Sequence, residues 1–151
     1  MSLAAASHPF LVHFPIALTL SAALLFIVAR YIQRPDWAAT LSTVATFNLC
    51  LGAVAVLLAI MSGMAAVVDV NVDEAARQAI SSHVKWAIFT SVALLLLAVW
   101  RGAGAAPGSR PSTPFLAVLL AASAAIYLTG YRGVQNVFDH GIGVELMAPK
   151  K

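Results

Sequence analysis

The residues of this chain best suited to chemistry are its four histidines, His8, His13, His83 and His140. The first two stand in "SHPFLVHFPIAL", residues 7–18, beside Pro9 and Pro15 at the mouth of a long apolar run. Neutral imidazole is a good ligand for haem iron and for Zn or Cu. One histidine at the end of an apolar helix reads most simply as a polar anchor. Four brought to one end of a bundle would be a candidate site, so the question is what positions them.

The chain has 151 residues, 61% hydrophobic and 10% charged. That is too little charge for a water-soluble domain of this size. The apolar residues fall in four blocks: Ile16 to Ala29, Val44 to Val68, Val84 to Trp100 and Pro114 to Leu128. With its flanks, each approaches the roughly 20 residues that cross a hydrocarbon core of about 30 Å. Four membrane-spanning helices follow, and the short alternating segments of a membrane barrel are missing. The first block does not read as a cleavable signal. No basic residue precedes it, its apolar run is long, and no clean small-x-small site follows. Cys50 is the lone cysteine, which excludes an internal disulfide and a thiolate metal cluster. A formal charge of +3, scattered along the chain, does not suggest nucleic acid.

The expected architecture is all-α, one integral-membrane domain over residues 1–151, with an up-down-up-down bundle of four helices. Helix one should run from about Pro9 to Tyr31, with Pro9 in its first turn and Pro15 bending it. After a turn at "RPDW", helix two should cover roughly Ala39 to Val68. Asn71 and Glu74 have capping-box spacing, so helix three should begin near Val72. "RGAGAAPGSRPSTP" reads as a flexible loop, with Ser112 or Thr113 opening helix four. Gly130 and Gly133 should end that helix. Val134, Val137 and Phe138 then suggest a tail folded back onto the bundle.

Four crossings put both ends of the chain on one side, with the loop between helices two and three. Arg30, Arg34, Arg101 and Arg110 fall on the other side, which the positive-inside rule makes cytoplasmic. Five of the six acidic residues join the termini on the opposite, periplasmic side. Trp37 and Trp100 would anchor the cytoplasmic interface, and Trp86, Tyr127 and Tyr131 the outer one.

This topology gathers all four histidines at one face, whichever side that face occupies. Helices one and three run in the same direction and are diagonal partners. His13 and His83 begin their apolar stretches, so they should lie at matched depth and can face each other across a porphyrin. His8, five residues before His13, would point about 140° away on a continuous helix. His8 is therefore paired with His140, as a second and more exposed site. A Cu or Zn centre made by the same four histidines is the chemical rival. Met61 and Met64 could offer a thioether, but packing is the simpler reading. No Asp, Glu, Lys, Arg or His occupies the middle of a span, unlike most pumps and proton-coupled transporters. Asn48 should make an interhelical hydrogen bond, and Gly52 and Gly63 should allow close helix contact.

"HPFLVHFPIAL", "SGMAAVVD" (Ser62 to Asp69), His83 and "HGIGVEL" (His140 to Leu146) resemble, in that order, the landmarks of a bacterial membrane-protein family, domain of unknown function twenty-two thirty-one. The resemblance covers essentially the whole chain. It implies a four-helix inner-membrane protein, often associated with c-type cytochromes or periplasmic dehydrogenases. "MAAVVD" departs from the tighter Gly-x-x-Asp ending more common in the family. Together these readings lead to one expectation: a b-type haem protein, with one haem or two, passing electrons between a periplasmic partner and the quinone pool. That would make it an electron-transfer subunit rather than a stand-alone enzyme. A membrane anchor or accessory subunit without its own cofactor is the alternative.

Overall fold

A computed structural model of the chain describes residues 3–68 and 72–142. Five α-helices and no strand occur among the described residues: α1 (Leu3–Leu11), α2 (His13–Tyr31), α3 (Pro35–Val68), α4 (Glu74–Gly104) and α5 (Thr113–Phe138). Helices α1 and α2 form one apolar rod interrupted at Val12, and Ala6–Tyr31 is long and apolar enough to cross a membrane. The other three helices meet the same condition, giving four candidate spans.

The break at Val12 has a local cause. Pro15 has no N–H for the carbonyl of Leu11, and its ring crowds that carbonyl, so the helix must open one turn earlier. Val12 still bonds back to the His8 carbonyl at 3.1 Å. The helical rod starts at Leu3, so Pro9 lies inside α1 and not in its first turn.

Other boundaries move for equally local reasons. Helix α3 starts at Pro35, which suits a first helical position because its missing donor would be free there anyway. "RPDW" is therefore mostly helix. The cap of α4 is Asp73, whose side chain accepts from the Ala76 N–H at 2.9 Å. Asn71, expected to fill that role, lies outside the described residues, as do Asp69 and residues 143–151. Ser112 caps α5 as its position suggested, accepting from the Phe115 N–H. Gly130 and Gly133 do not end α5, which continues to Phe138. Gly141, at φ +65°, then closes an αL stop by donating to the Val137 carbonyl at 2.9 Å. Val134, Val137 and Phe138 belong to this helix and are exposed, and the tail expected to fold back lies, from residue 143 on, outside the described residues.

The packing order is a ring: α2 on α3, α3 on α4, α4 on α5, and α5 on α2. Among the described residues, α2 and α4 make no backbone approach, nor do α3 and α5. These are the diagonals of an up-down-up-down bundle. Segment α1 leans on α3. The centre is filled by Phe26, Leu49, Leu94, Leu97 and Leu119, all fully buried. Small residues let the backbones close in. A Cβ at Gly52 would stand 3.3 Å from Leu18 Cβ, and Asn48 donates across the same interface to Ser21 Oγ at 3.1 Å.

The end of the bundle away from the histidines is fastened by two arginines. Arg101, 5% exposed, stacks its guanidinium 5.0 Å from the Phe26 ring centre and 6.0 Å from that of Phe115. It donates to Thr46 Oγ1 at 3.1 Å, and to the hydroxyl and carbonyl of Ser109. Arg110 donates to the carbonyls of Ala29, Arg30 and Ile32, closing the C-terminal end of α2. The loop expected to be flexible is thus tied at two points. It also passes Ala39 at Gly108, whose φ of +71° favours glycine.

Candidate functional site

His8 is half-buried on α1, with Nδ1 3.0 Å from Ser62 Oγ on α3. The serine hydroxyl has one proton, and it is donated to the Ala59 carbonyl at 3.0 Å. Nδ1 of His8 must therefore be the donor, and Nε2 carries the free lone pair. The ring lies flat against α3 because position 63 is glycine. A Cβ there would approach His8 Cε1 to 2.9 Å.

His83 repeats the arrangement on the opposite corner of the bundle. Its Nδ1 lies 3.1 Å from the Thr129 carbonyl oxygen on α5. A carbonyl only accepts, so His83 too holds its proton on Nδ1 and leaves Nε2 free. A Cβ at Gly133 would stand 3.3 Å from His83 Cε1. Thr90, one helical stretch below, joins Thr129 through their hydroxyls at 3.0 Å, and Thr129 in turn donates to the Ala125 carbonyl. Each imidazole thus rests on a glycine of the next helix and is oriented by an oxygen of that same helix.

The pairing differs from the one expected. His8, not His13, is half-buried on the first span, against α3, while His83 packs against α5. His13 is exposed at the start of α2. His140 is exposed two residues beyond α5 and does not join His8. It lines a cleft between α4 and α5 with Ala79, Ser82, Arg132, Gln135, Asn136 and Asp139. Among the described residues no three His, Cys, Asp or Glu side chains form a group that could hold a metal ion. The four-histidine Cu or Zn centre is not assembled there. Met61 and Met64 face outward and are mostly exposed, neither filling the core nor joining the imidazoles.

Two oxygens that orient the rings escaped sequence reasoning. Ser62 and Thr129 sit in apolar helices with no motif of their own. Ser62 stands next to Gly63, and that small-residue pair facing a histidine-bearing segment was the available signal. The Thr129 contribution is a backbone carbonyl, and a sequence pattern does not reveal which carbonyl a ring will find.

Four apolar helices in ring order, with imidazoles fixed at one end of the interior, define a polytopic four-helix membrane protein that associates with the lipid bilayer. The chain belongs to the DUF2231 family, described as a predicted membrane protein, whose model matches residues 4–146 and so spans all four histidines. No curated protein and no solved structure matches it.

Proposed function

We propose that the protein is a b-type haem protein of the bacterial inner membrane that passes electrons between a periplasmic redox partner and the membrane quinone pool. The observation that carries this reading is the pair of Nε2 lone pairs of His8 and His83. Both rings are held through Nδ1 by a protein oxygen, and they come from different corners of the bundle. An Nδ1–H donated to a carbonyl or hydroxyl is how ligating histidines are oriented and made more basic. Two imidazole nitrogens are a donor set suited to haem iron.

In this reading His8 and His83 would hold the iron, and haem would supply one-electron exchange. The protein's own work is orientation. Ser62 and the Thr129 carbonyl fix the ring planes and tautomers, and the glycines at 63 and 133 clear the space the rings occupy. The apolar helices beneath lower the local dielectric and keep water from the buried face. His13, exposed on the same span, has no part as a ligand. The site sits at the end of the bundle that carries the N-terminal segment and the end of α5. The arginine-rich end lies opposite, and the positive-inside rule makes it cytoplasmic. The haem end then faces the periplasm, where a c-type cytochrome or a dehydrogenase is the natural class of partner.

The test is the visible spectrum of protein purified from haem-sufficient cells. Reduction should give the sharp split bands of six-coordinate, low-spin haem. His8→Ala and His83→Ala should each abolish that spectrum or convert it to a high-spin form, whereas His13→Ala should leave it intact. A colourless wild-type protein ends the haem reading.

A further inference from the structure

The cleft between α4 and α5 is lined by Ser82, next to His83 in the chain, and by Arg132, Gln135 and Asn136. It encloses about 110 Å³. Arg132 is anchored to Ser82, the residue that precedes His83 on α4. Its guanidinium is held over the Trp86 ring, 5.4 Å from the centre, and donates through Nη1 to Ser82 Oγ at 2.7 Å. A guanidinium has five N–H donors, so most of its edge stays available in a fixed orientation. Asn136 is 8% exposed and lines the same cleft, and its side-chain amide has no hydrogen-bond partner among the described residues. That amide opens into the cleft, where it can donate to a bound acceptor. Gln135 adds a second amide. Asp139 and His140 are exposed at the rim, where solvent screens them.

A fixed guanidinium edge beside a free amide is matched by a carboxylate, which accepts from both. We propose that this cleft binds the propionate carboxylates of the porphyrin, with Arg132 and Asn136 as the principal donors. The proposal rests on the haem reading above and adds a direction to it. The ring's acid edge points toward α5 and the membrane surface, and Arg132 supplies the positive charge that the histidine pair lacks.

The experiment uses the purified full chain, freed of haem, titrated with ferric haemin and with the same iron porphyrin whose two propionates are methyl esters. Binding is read by the change in visible absorption. Haemin should bind about tenfold or more tightly than the diester, since charge-assisted hydrogen bonds are lost on esterification. Arg132→Gln and Asn136→Leu should each shrink that preference while keeping the low-spin spectrum. Equal affinity of the wild-type protein for both porphyrins, with a low-spin spectrum, overturns the proposal and leaves the haem reading standing. Variants that keep the full wild-type preference overturn the assignment to this cleft. No spectral change with either porphyrin removes the haem reading, and this inference with it.

Discussion

His83 Nδ1 faces the backbone carbonyl oxygen of Thr129 at 3.1 Å, so the protonation of that ring is set by an acceptor that no side-chain substitution removes. His8 depends instead on a side chain, because its Nδ1 partner is Ser62 Oγ. The two imidazoles look alike in geometry but differ in how they can be disturbed.

That difference gives the first prediction. In protein without cofactor, nitrogen NMR of labelled histidine should show both His8 and His83 protonated at Nδ1. Ser62→Ala should release His8, whose signal should move toward the Nε2–H form or an average of the two. Thr129→Val should leave the His83 tautomer unchanged, because the carbonyl stays, while losing the hydroxyl contact with Thr90. Interhelical hydrogen bonds in membranes are worth on average about 0.6 kcal/mol, so neither variant should unfold the bundle. A His8 signal untouched by Ser62→Ala would refute the assigned tautomer.

The glycines under the rings should differ in their tolerance of a methyl group. Alanine gains up to about 1 kcal/mol over glycine in a helix. Against this stands overpacking, about 1–3 kcal/mol where a close neighbour must move. A Cβ at Gly63 would meet His8 Cε1 at 2.9 Å, whereas at Gly133 the distance to His83 Cε1 is 3.3 Å. Gly63→Ala should therefore lower the melting temperature in detergent and shift the His8 signal, and Gly133→Ala should be close to neutral. The reverse order would show that α3 and α1 separate more easily than α4 and α5.

Arg101 should be the costliest charged residue to alter. It is buried among Phe26, Phe115, Thr46 and Ser109, with no acidic partner among the described residues. Its stabilising effect comes from three hydrogen bonds and ring stacking, so both shape and charge matter. Arg101→Ala strands Thr46 and Ser109 and leaves a void, at a cost of about 2–4 kcal/mol by the usual cavity and unpaired-group penalties. Arg101→Lys should recover little of it, since an ammonium cannot match the planar fork. Thermal unfolding in detergent measures both, and full rescue by lysine would show that charge alone suffices.

The topology proposed for the chain has its own check. A reporter enzyme active only in the cytoplasm, fused after Lys151, should be silent, and the same reporter in the loop between α4 and α5 should be active. The opposite pattern inverts the protein in the membrane while keeping the histidines at one end.

Much of this architecture was legible because a bilayer leaves few options. Four blocks of sufficient length, nearly free of charge, require four helices, and short connections require antiparallel neighbours. Crossing parity alone then gathered His8, His13, His83 and His140 at one end. Depth along a span could be read from where apolar sequence begins. Facing could not. The inward turn of His8 and the outward turn of His13 depend on rotation about the helix axis, and every face of this first span is apolar. The amphipathic stripe that would mark an inner face in a soluble bundle is absent. Arg101 was hidden for a related reason. Its position at a helix end suggests a solvated loop charge, and only the three-dimensional structure shows Phe26 and Phe115 enclosing it.

Pro15 ties the bend of the first span to the position of His8, and this yields the last prediction. The proline is buried and interrupts the rod at Val12, so that α1 leans on α3 and sets His8 beside Ser62 and Gly63. Pro15→Ala restores a donor for the Leu11 carbonyl and removes the ring that crowds it. The local helix should gain up to about 3 kcal/mol of intrinsic propensity. Straightening, however, swings α1 away from α3, and the contact at Ser62 should weaken. Pro9 is exposed on α1 and lies on the far side of the bend from α2, so Pro9→Ala should straighten α1 without re-aiming it. The expected result is a Pro15→Ala protein at least as heat-stable as the wild type, whose His8 nitrogen signals resemble those of Ser62→Ala. Pro9→Ala should keep the wild-type signals. If Pro15→Ala leaves His8 unchanged, the bend is not what positions the imidazole, and packing of α1 on α3 alone must hold it.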